Sequence, residues 1–483
     1  MLNKKFIINL MGSVLMFESL FMLLCAGVAL VYGEGDFIVL LTSSLITFLV
    51  GAASWLPTRN VSKDLIKREG FIVVSLVWVL MSVFGALPYV IGGYIPSYTD
   101  AFFETISGFT TTGASILTDI EALPHGILFW RSMTHFIGGM GIIVLAIAIM
   151  PYFGFGGMQL YNAEASGVTN EKLHPRITQT AKSFWGIYVG LVLLQTVVML
   201  FGGMNLFESL CHSFGTLASG GFSPKNTSIA EYSPFIQYVV ILFMILAGTN
   251  FTIHYFVLNG KWSRIRNNSE LWVFLSIIGV ATMIIALFLN MGEKYALEHA
   301  FRSAMFQVVS ILTTTGFVTD DYTAWPQYLS FIIFMLMFSG GCAGSTAGGM
   351  KVMRHNILFR NSMLEFRRMT HPQGIIPLRI GGKVIPKEVV FTVLAFVILY
   401  IIIFVIASLI LTFMGLSWES AMGASATCMA GIGPGFGEIG NPVGNFALTP
   451  MAGKWLLSFL MLLGRLELFS FLILFSPEFW RNH

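Results

Sequence analysis

Charge is what this sequence most lacks. Lys, Arg, Asp and Glu make up 11% of its 483 residues, against 55% hydrophobic residues and a mean hydropathy of +0.78. A soluble globular chain is about one quarter charged, so water cannot be the sole solvent here and a bilayer is the alternative. No polar stretch is long enough to hold a separate water-soluble core, which excludes a soluble enzyme on a single anchor. The net charge of +3 is small, and the basic residues gather in short loops, leaving no electrostatic footprint for nucleic acid. Cysteine is scarce too: Cys25, Cys211, Cys342 and Cys428 lie in or beside apolar segments at spacings that fit no zinc or CxxC pattern, and read as free thiols. His135, His254 and Glu467 form none of the nucleophile, metal or paired-carboxylate arrangements that a membrane-embedded enzyme requires.

Apolar runs are abundant instead. Segments of about 20 such residues, enough to cross about 30 Å of hydrocarbon, fall near residues 6–32, 37–56, 71–93, 126–150, 183–204, 236–258, 271–291, 327–350, 389–414 and 453–475. The first is too long for a removed signal peptide and is expected to stay. Basic residues then sort to one side: Lys4 and Lys5; Arg59, Lys63, Lys67 and Arg68; Lys172, Arg176 and Lys182; Lys261, Arg264 and Arg266; and the stretch from Lys351 through Arg354, Arg360, Arg367, Arg368, Arg379 and Lys383 to Lys387. By the positive-inside rule that side is cytoplasmic, with both termini on it. The opposite loops are richer in acid, including Glu34, Asp36, Asp100, Asp119, Glu121, Glu208, Asp320, Asp321, Glu419 and Glu438.

The last four outer connections repeat one another. Each opens with an apolar stretch too brief to cross and ends in Thr, Ser and Gly: DAFFETISGFTTTGA, ESLCHSFGTLASGGF, SAMFQVVSILTTTGF and SAMGASATCMAGIGP. One gapless frame pairs Asp100 with Glu208, Ser303 and Ser420, and brings Gly113, Gly221, Gly316 and Gly433 into register, 108, 95 and 117 residues apart. The two adjacent glycines of the second loop, Gly220 and Gly221, are resolved for Gly221 by that frame. Such a period marks an internal repeat. A helix of about ten residues reaches about 15 Å, so each must enter and turn back. Non-helical backbone at that depth has to be buried in protein or line a water-filled cavity. The expected fold is therefore all-α and integral to the membrane: ten transmembrane helices, the last eight forming four pseudo-repeats of helix, re-entrant loop and helix around one central pore. The units are residues 1–70 (two leading helices), 71–182, 183–270, 271–388 and 389–483.

A ring of backbone carbonyls can replace the water shell of a monovalent cation without burying a fixed charge. Glycine permits the backbone angles that aim successive carbonyls inward, and each short helix directs its negative C-terminal end at the centre. Asp100, Glu104 and Glu208 either concentrate cations at the outer mouth or, for Asp100 and Glu208, cap the short helices.

These residues resemble the Trk/Ktr/HKT superfamily of potassium transporters, nearest the membrane subunit of bacterial Trk systems. The resemblance runs over essentially the whole chain and includes TTTGA, TTTGF, GGMGIIVLAIAIMP, GGCAGSTAGGMKV and GRLELF. It implies a potassium filter at Thr111, Thr112 and Gly113; Ser219, Gly220 and Gly221; Thr314, Thr315 and Gly316; and Gly431, Ile432 and Gly433. Serine at the first filter glycine accompanies sodium preference in this superfamily, so glycine at all four positions favours potassium. MAGIGPGFG in the fourth loop departs most from the TTTG form. The resemblance further implies no cofactor in this chain, a homodimer in the bacterial inner membrane, and a cytoplasmic regulatory partner that binds a nucleotide (ATP, ADP or NAD).

The eighth segment interrupts its own helical pattern. Ser339 to Gly349 reads SGGCAGSTAGG, five glycines in eleven residues, each unfavourable in a helix by about 1 kcal/mol relative to alanine. That density predicts an unwound intramembrane segment, and the resemblance puts it below the filter as a gate built from Gly340, Gly341, Gly344, Ser345, Thr346, Gly348 and Gly349. Arg465, midway along the last segment, must face protein or water. Glu467 lies two residues away and so points elsewhere, which leaves carbonyls of the glycine-rich segment as its expected partners and gating as its expected role. Lys351 is expected to snorkel to the inner surface. Arg131 and His135 in the fourth segment receive no role. The basic stretch from Lys351 to Lys387 suits either anionic lipid or a regulatory partner.

Overall fold

The structure is a computed structural model that describes residues 3–60, 67–149, 177–292 and 295–481. Lys63, Lys172 and Arg176, used above for orientation, lie outside the described residues, as does the part of the first repeat from 150 to 176.

Six helices are each long and apolar enough to cross a membrane: Lys4–Tyr32, Asp36–Thr58, Arg68–Ile91, Thr180–Phe201, Ser269–Met291 and Lys387–Phe413. They coincide with the first, second, third, fifth, seventh and ninth expected segments. A seventh long helix, His125–Ile149, occupies the fourth. Three segments are broken. The sixth is the pair Pro234–Ala247 and Phe251–Leu258, bent by 101°, and the tenth is Met451–Arg465 and Leu468–Phe475, bent by 115°. In the eighth the helix Gln327–Leu336 gives way to non-helical chain before the basic helix Val352–Thr370 begins.

The two leading helices form a hairpin closed by Gly33, which sits in the left-handed region at φ 71° and caps the first helix. They cross where glycine faces glycine: a Cβ on Gly12 would lie 2.6 Å from the Gly51 carbonyl oxygen, and one on Gly51 would lie 2.9 Å from that of Gly12. Small residues let the backbones approach this closely, which is how helices associate in lipid.

Four short helices occupy the interior: Tyr98–Phe109, Leu206–Leu217, Leu297–Leu312 and Trp418–Ala430. Three start on an N-cap side chain, with Ser97, Asn205 and Ser417 accepting from the backbone N–H of Asp100, Glu208 and Ser420. The third starts about a turn earlier in the repeat frame, after Ala296 and without a side-chain cap. In that frame the first three end in register, at Phe109, Leu217 and Leu312, and the fourth ends one residue later. The long helices surround them and turn residues such as Leu24, Ile38, Leu193, Leu287 and Ile402 outward. A small separate core of Met353, Ile357, Leu378, Ile380, Ile385, Val389, Val390 and Val393 joins the basic helix to a two-stranded hairpin in which Arg379 pairs with Val384.

Candidate functional site

The non-helical chain after each short helix follows one backbone pattern. The first and third residues of each triplet have positive φ: Thr111 (53°) and Gly113 (82°), Ser219 (57°) and Gly221 (76°), Thr314 (55°) and Gly316 (78°), Gly431 (72°) and Gly433 (99°). The middle residues Thr112, Gly220, Thr315 and Ile432 lie outside that region. Alternation of this kind turns successive carbonyls to the same side of the strand. The middle N–H in each case returns to the short helix, at 2.8 Å from Thr112 to the Ser107 carbonyl, 2.8 Å from Gly220 to Gly215, 2.8 Å from Thr315 to Ser310 and 3.0 Å from Ile432 to Thr427. The helix ends are thereby satisfied by donors from the strands.

The four strands close into a ring. A Cβ built on Gly113 would meet the Gly220 carbonyl oxygen at 2.1 Å, one on Gly221 that of Thr315 at 2.1 Å, one on Gly316 that of Ile432 at 1.7 Å, and one on Gly433 that of Thr112 at 2.9 Å. Each glycine thus abuts the middle carbonyl of the next strand, first to second to third to fourth and back to first. Among the described residues, none of the three carbonyls of any triplet accepts a hydrogen bond. Unengaged carbonyls are rare in a protein interior, and a ring of them is a cation-coordinating donor set.

Under this ring lies the glycine-rich segment. Gly340, Gly344 and Gly349 have φ of 93°, 71° and 71°, angles that an L side chain disfavours. Its polar groups are satisfied largely by the break in the sixth segment. The N–H of Cys342 donates to the Gly248 carbonyl (2.8 Å), that of Thr346 to Ala247 (3.4 Å), and the Gly344 carbonyl accepts from Phe251 (3.0 Å). The Ala343 N–H donates to the Glu270 carboxylate at 2.7 Å. Two contacts reach the ring itself: the hydroxyls of Ser219 and Thr346 are 3.0 Å apart, and the Gly348 N–H donates to the Thr314 hydroxyl at 2.6 Å. Gly341 and Ser345 sit within the segment, where the Gly341 carbonyl accepts from Val352 and the Ser345 hydroxyl donates to the Cys342 carbonyl.

Arg465 is buried and donates to the Thr346 carbonyl at 2.8 Å and to the Gly138 carbonyl at 3.3 Å. It ties the last segment to the glycine-rich one and to the fourth. Glu467 is taken by Arg354 at 2.7 Å.

A family model described as TrkH, cation transport protein, matches residues 38–482. The chain belongs to the TrkH family. It is 38% identical over 460 residues to the Trk system potassium uptake protein TrkH of Escherichia coli K12, covering 94% of this chain and 95% of that one. It is 36% identical over the full length of both chains to the TrkH of Halomonas elongata. The crystal structure of the potassium transporter TrkH from Vibrio parahaemolyticus superposes with a TM-score of 0.91 at 36% identity, covering 99% of this chain and 100% of that one. Membership of the TrkH family makes this a multi-pass membrane transport protein rather than an enzyme.

Two motifs that signal the TrkH family now have a steric reason. In GGMG, a Cβ on Gly138 would lie 2.0 Å from the Phe109 carbonyl oxygen; in GRLE, one on Gly464 would lie 2.0 Å from that of Met429. Only glycine lets these helices seat the ends of the first and fourth short helices. The outer acids differ from expectation. Glu104 is fully buried and cannot serve the mouth, Asp100 is paired with Lys454 at 2.6 Å, and Glu208 accepts from Tyr232 at 2.9 Å. The caps themselves are Ser97 and Asn205. Lys351 turns back to the Ala347 carbonyl. Sequence reasoning missed the breaks in the sixth and tenth segments, although Asn250, an N-cap residue amid an apolar run, was a signal for the first: it accepts from the Thr252 N–H at 2.8 Å.

Proposed function

We propose that this chain is the pore-forming subunit of a Trk-type potassium uptake system of the bacterial inner membrane. The observation that carries the reading is the closed ring of strands whose carbonyls accept no hydrogen bond. A potassium ion entering it exchanges hydration for fixed carbonyl oxygens, supported by four short-helix C-termini aimed at the same point. The filter residues are the four triplets, and glycine at Gly113, Gly221, Gly316 and Gly433 favours potassium over sodium. The fold that serves this is ten spans, eight of them in four pseudo-repeats, with both termini cytoplasmic. Relatives named as potassium uptake proteins support the substrate.

The segment Ser339–Gly349 is the gate. It sits against Ser219 and Thr314, and Arg465 holds it there through Thr346. Opening requires the segment to leave both hydroxyls. A homodimer and a cytoplasmic regulatory subunit, responding to ATP, ADP or NAD, complete the system, with the basic stretch Lys351–Lys387 as the surface through which that subunit acts. The test is uptake of labelled rubidium, sodium and caesium into potassium-loaded proteoliposomes, with and without a pH gradient. Rubidium uptake well above sodium uptake is expected; equal uptake would assign the chain to the sodium-permeable branch of the superfamily instead.

A further inference from the structure

The repeat frame exposes a feature outside the triplets. Four residues beyond the Asp100 register, the short helices carry Glu104, His212, Gln307 and Ala424. The first three each brace the strand that leaves their own glycine. Glu104 accepts from the Ser115 hydroxyl (2.9 Å) and the Ile116 N–H (2.9 Å). His212 Nε2 lies 2.9 Å from the Ser223 hydroxyl. Gln307 donates to the Asp320 carbonyl at 3.1 Å. Alanine gives the fourth strand no brace of this type.

The first brace differs because it is ionic and shared. Arg131 Nε donates to Glu104 at 2.7 Å, while Arg131 Nη1 donates to the Ser223 carbonyl at 2.9 Å. Both side chains are buried. The same guanidinium lies 3.6 Å from the centroid of the Phe222 ring. His135 stacks on that ring at 4.1 Å between centroids, and its Nδ1 accepts from the Phe222 N–H at 3.3 Å. Phe222 directly follows Gly221, so the residue leaving the second triplet is clamped between Arg131 and His135. Through Glu104 the same cation holds Ser115 and Ile116, which leave the first triplet. One buried ion pair therefore fixes the relative position of two adjacent strands, the two whose contact is Gly113 against the Gly220 carbonyl.

We propose that Glu104 and Arg131, with His135, are positioning residues that set cation preference by holding the first and second strands of the ring at fixed separation. The inference rests on the potassium-filter reading above. A buried guanidinium that bridges two acceptors is suited to this because its planar fork fixes direction as well as distance, and the two strands it spaces carry the carbonyls that would coordinate the ion.

The experiment measures the ratio of initial rubidium to sodium uptake in proteoliposomes. Arg131→Lys keeps the charge but cannot reach both Glu104 and Ser223, and the double variant Glu104→Gln with Arg131→Met removes both charges together so that neither is left buried alone. In either variant the ratio is expected to fall about tenfold or more, chiefly through increased sodium entry. A ratio within about twofold of wild type in protein that elutes as a single species overturns the proposal, as does an equal fall in both fluxes, which is the mark of a merely structural pair. Should neither variant yield folded protein, Ser115→Ala decides: it deletes one hydroxyl contact to Glu104 and is expected to lower the ratio about threefold, and an unchanged ratio overturns the proposal. Wild-type protein without preference for rubidium overturns the filter reading and this inference together; selective wild type with unaltered variants overturns this inference alone.

Discussion

Gly113→Ser tests the ring at its most exacting point. At φ 82° an L residue is disfavoured before any contact is considered, by roughly 1–2 kcal/mol. The new Cβ would then stand 2.1 Å from the Gly220 carbonyl oxygen, where an ordinary contact begins at about 3.4 Å. The gap must open by about 1 Å. Backbone is on both sides, so no flexible side chain can absorb the shift, and the Gly220 carbonyl is the group displaced. Displacement of that carbonyl is expected to lower rubidium-over-sodium uptake by a factor of about 5–30, the equivalent of about 1–2 kcal/mol. Gly93→Ser is the control: φ there is 69° with nothing within 4 Å of the added Cβ, so it carries backbone strain without touching the ring, and its uptake ratio should equal wild type. An unchanged ratio in Gly113→Ser, with normal total flux, would refute the argument that this glycine positions a coordinating carbonyl.

Deleting Gly344 to Gly349 removes Thr346 and Gly348, the two residues that contact the ring, and is expected to speed rubidium leak from purified protein in liposomes; a slower or equal leak would count against the gate. Arg465→Gln leaves at most one of the two carbonyl contacts and no charge, and should raise basal leak about tenfold without altering the uptake ratio, as read from paired rubidium and sodium measurements. Gly12→Leu should separate the leading hairpin, because its Cβ already meets Gly51 backbone at 2.6 Å. It is expected to destabilise the protein by about 1–3 kcal/mol, seen as a lower Tm in detergent, with the uptake ratio preserved.

The long apolar helices were legible because lipid demands a continuous run of about 20 apolar residues, and six of the segments satisfy that alone. The gapless frame was legible because glycine is the residue that tolerates left-handed backbone at the third position of every triplet. Arg465 was legible as a charge that needed carbonyls, and it found Thr346 and Gly138. The broken sixth and tenth segments were not, since hydropathy averages over a bend: Leu466 and Glu467 interrupt neither composition nor length. Their backbone groups are satisfied by partners far along the chain, such as Cys342 for Gly248, and such pairing leaves no local pattern. Glu104 and Arg131 were visible as charges, but the pairing depends on how two strands leave the ring, which spacing along one helix cannot reveal.

The ring is not equivalent at all four strands, and the inequality has a physical use. Thr111, Ser219 and Thr314 hold left-handed backbone with side chains that disfavour it, whereas Gly431 adopts the same angle freely and a Cβ there would find nothing nearer than the Thr112 hydroxyl at 4.0 Å. Space therefore does not explain the glycine at the fourth position, and backbone preference does not explain the hydroxyl residues at the other three. At two of the three the hydroxyl does: those of Ser219 and Thr314 meet the glycine-rich segment directly, whereas the buried Thr111 hydroxyl has no hydrogen-bond partner among the described residues. The glycine-rich segment rests on the second and third strands, while the buried ion pair binds the first to the second. The second strand is common to both attachments, so displacement of the glycine-rich segment would act on the ring at its second and third strands and, through the second, on the first strand that Arg131 ties to it.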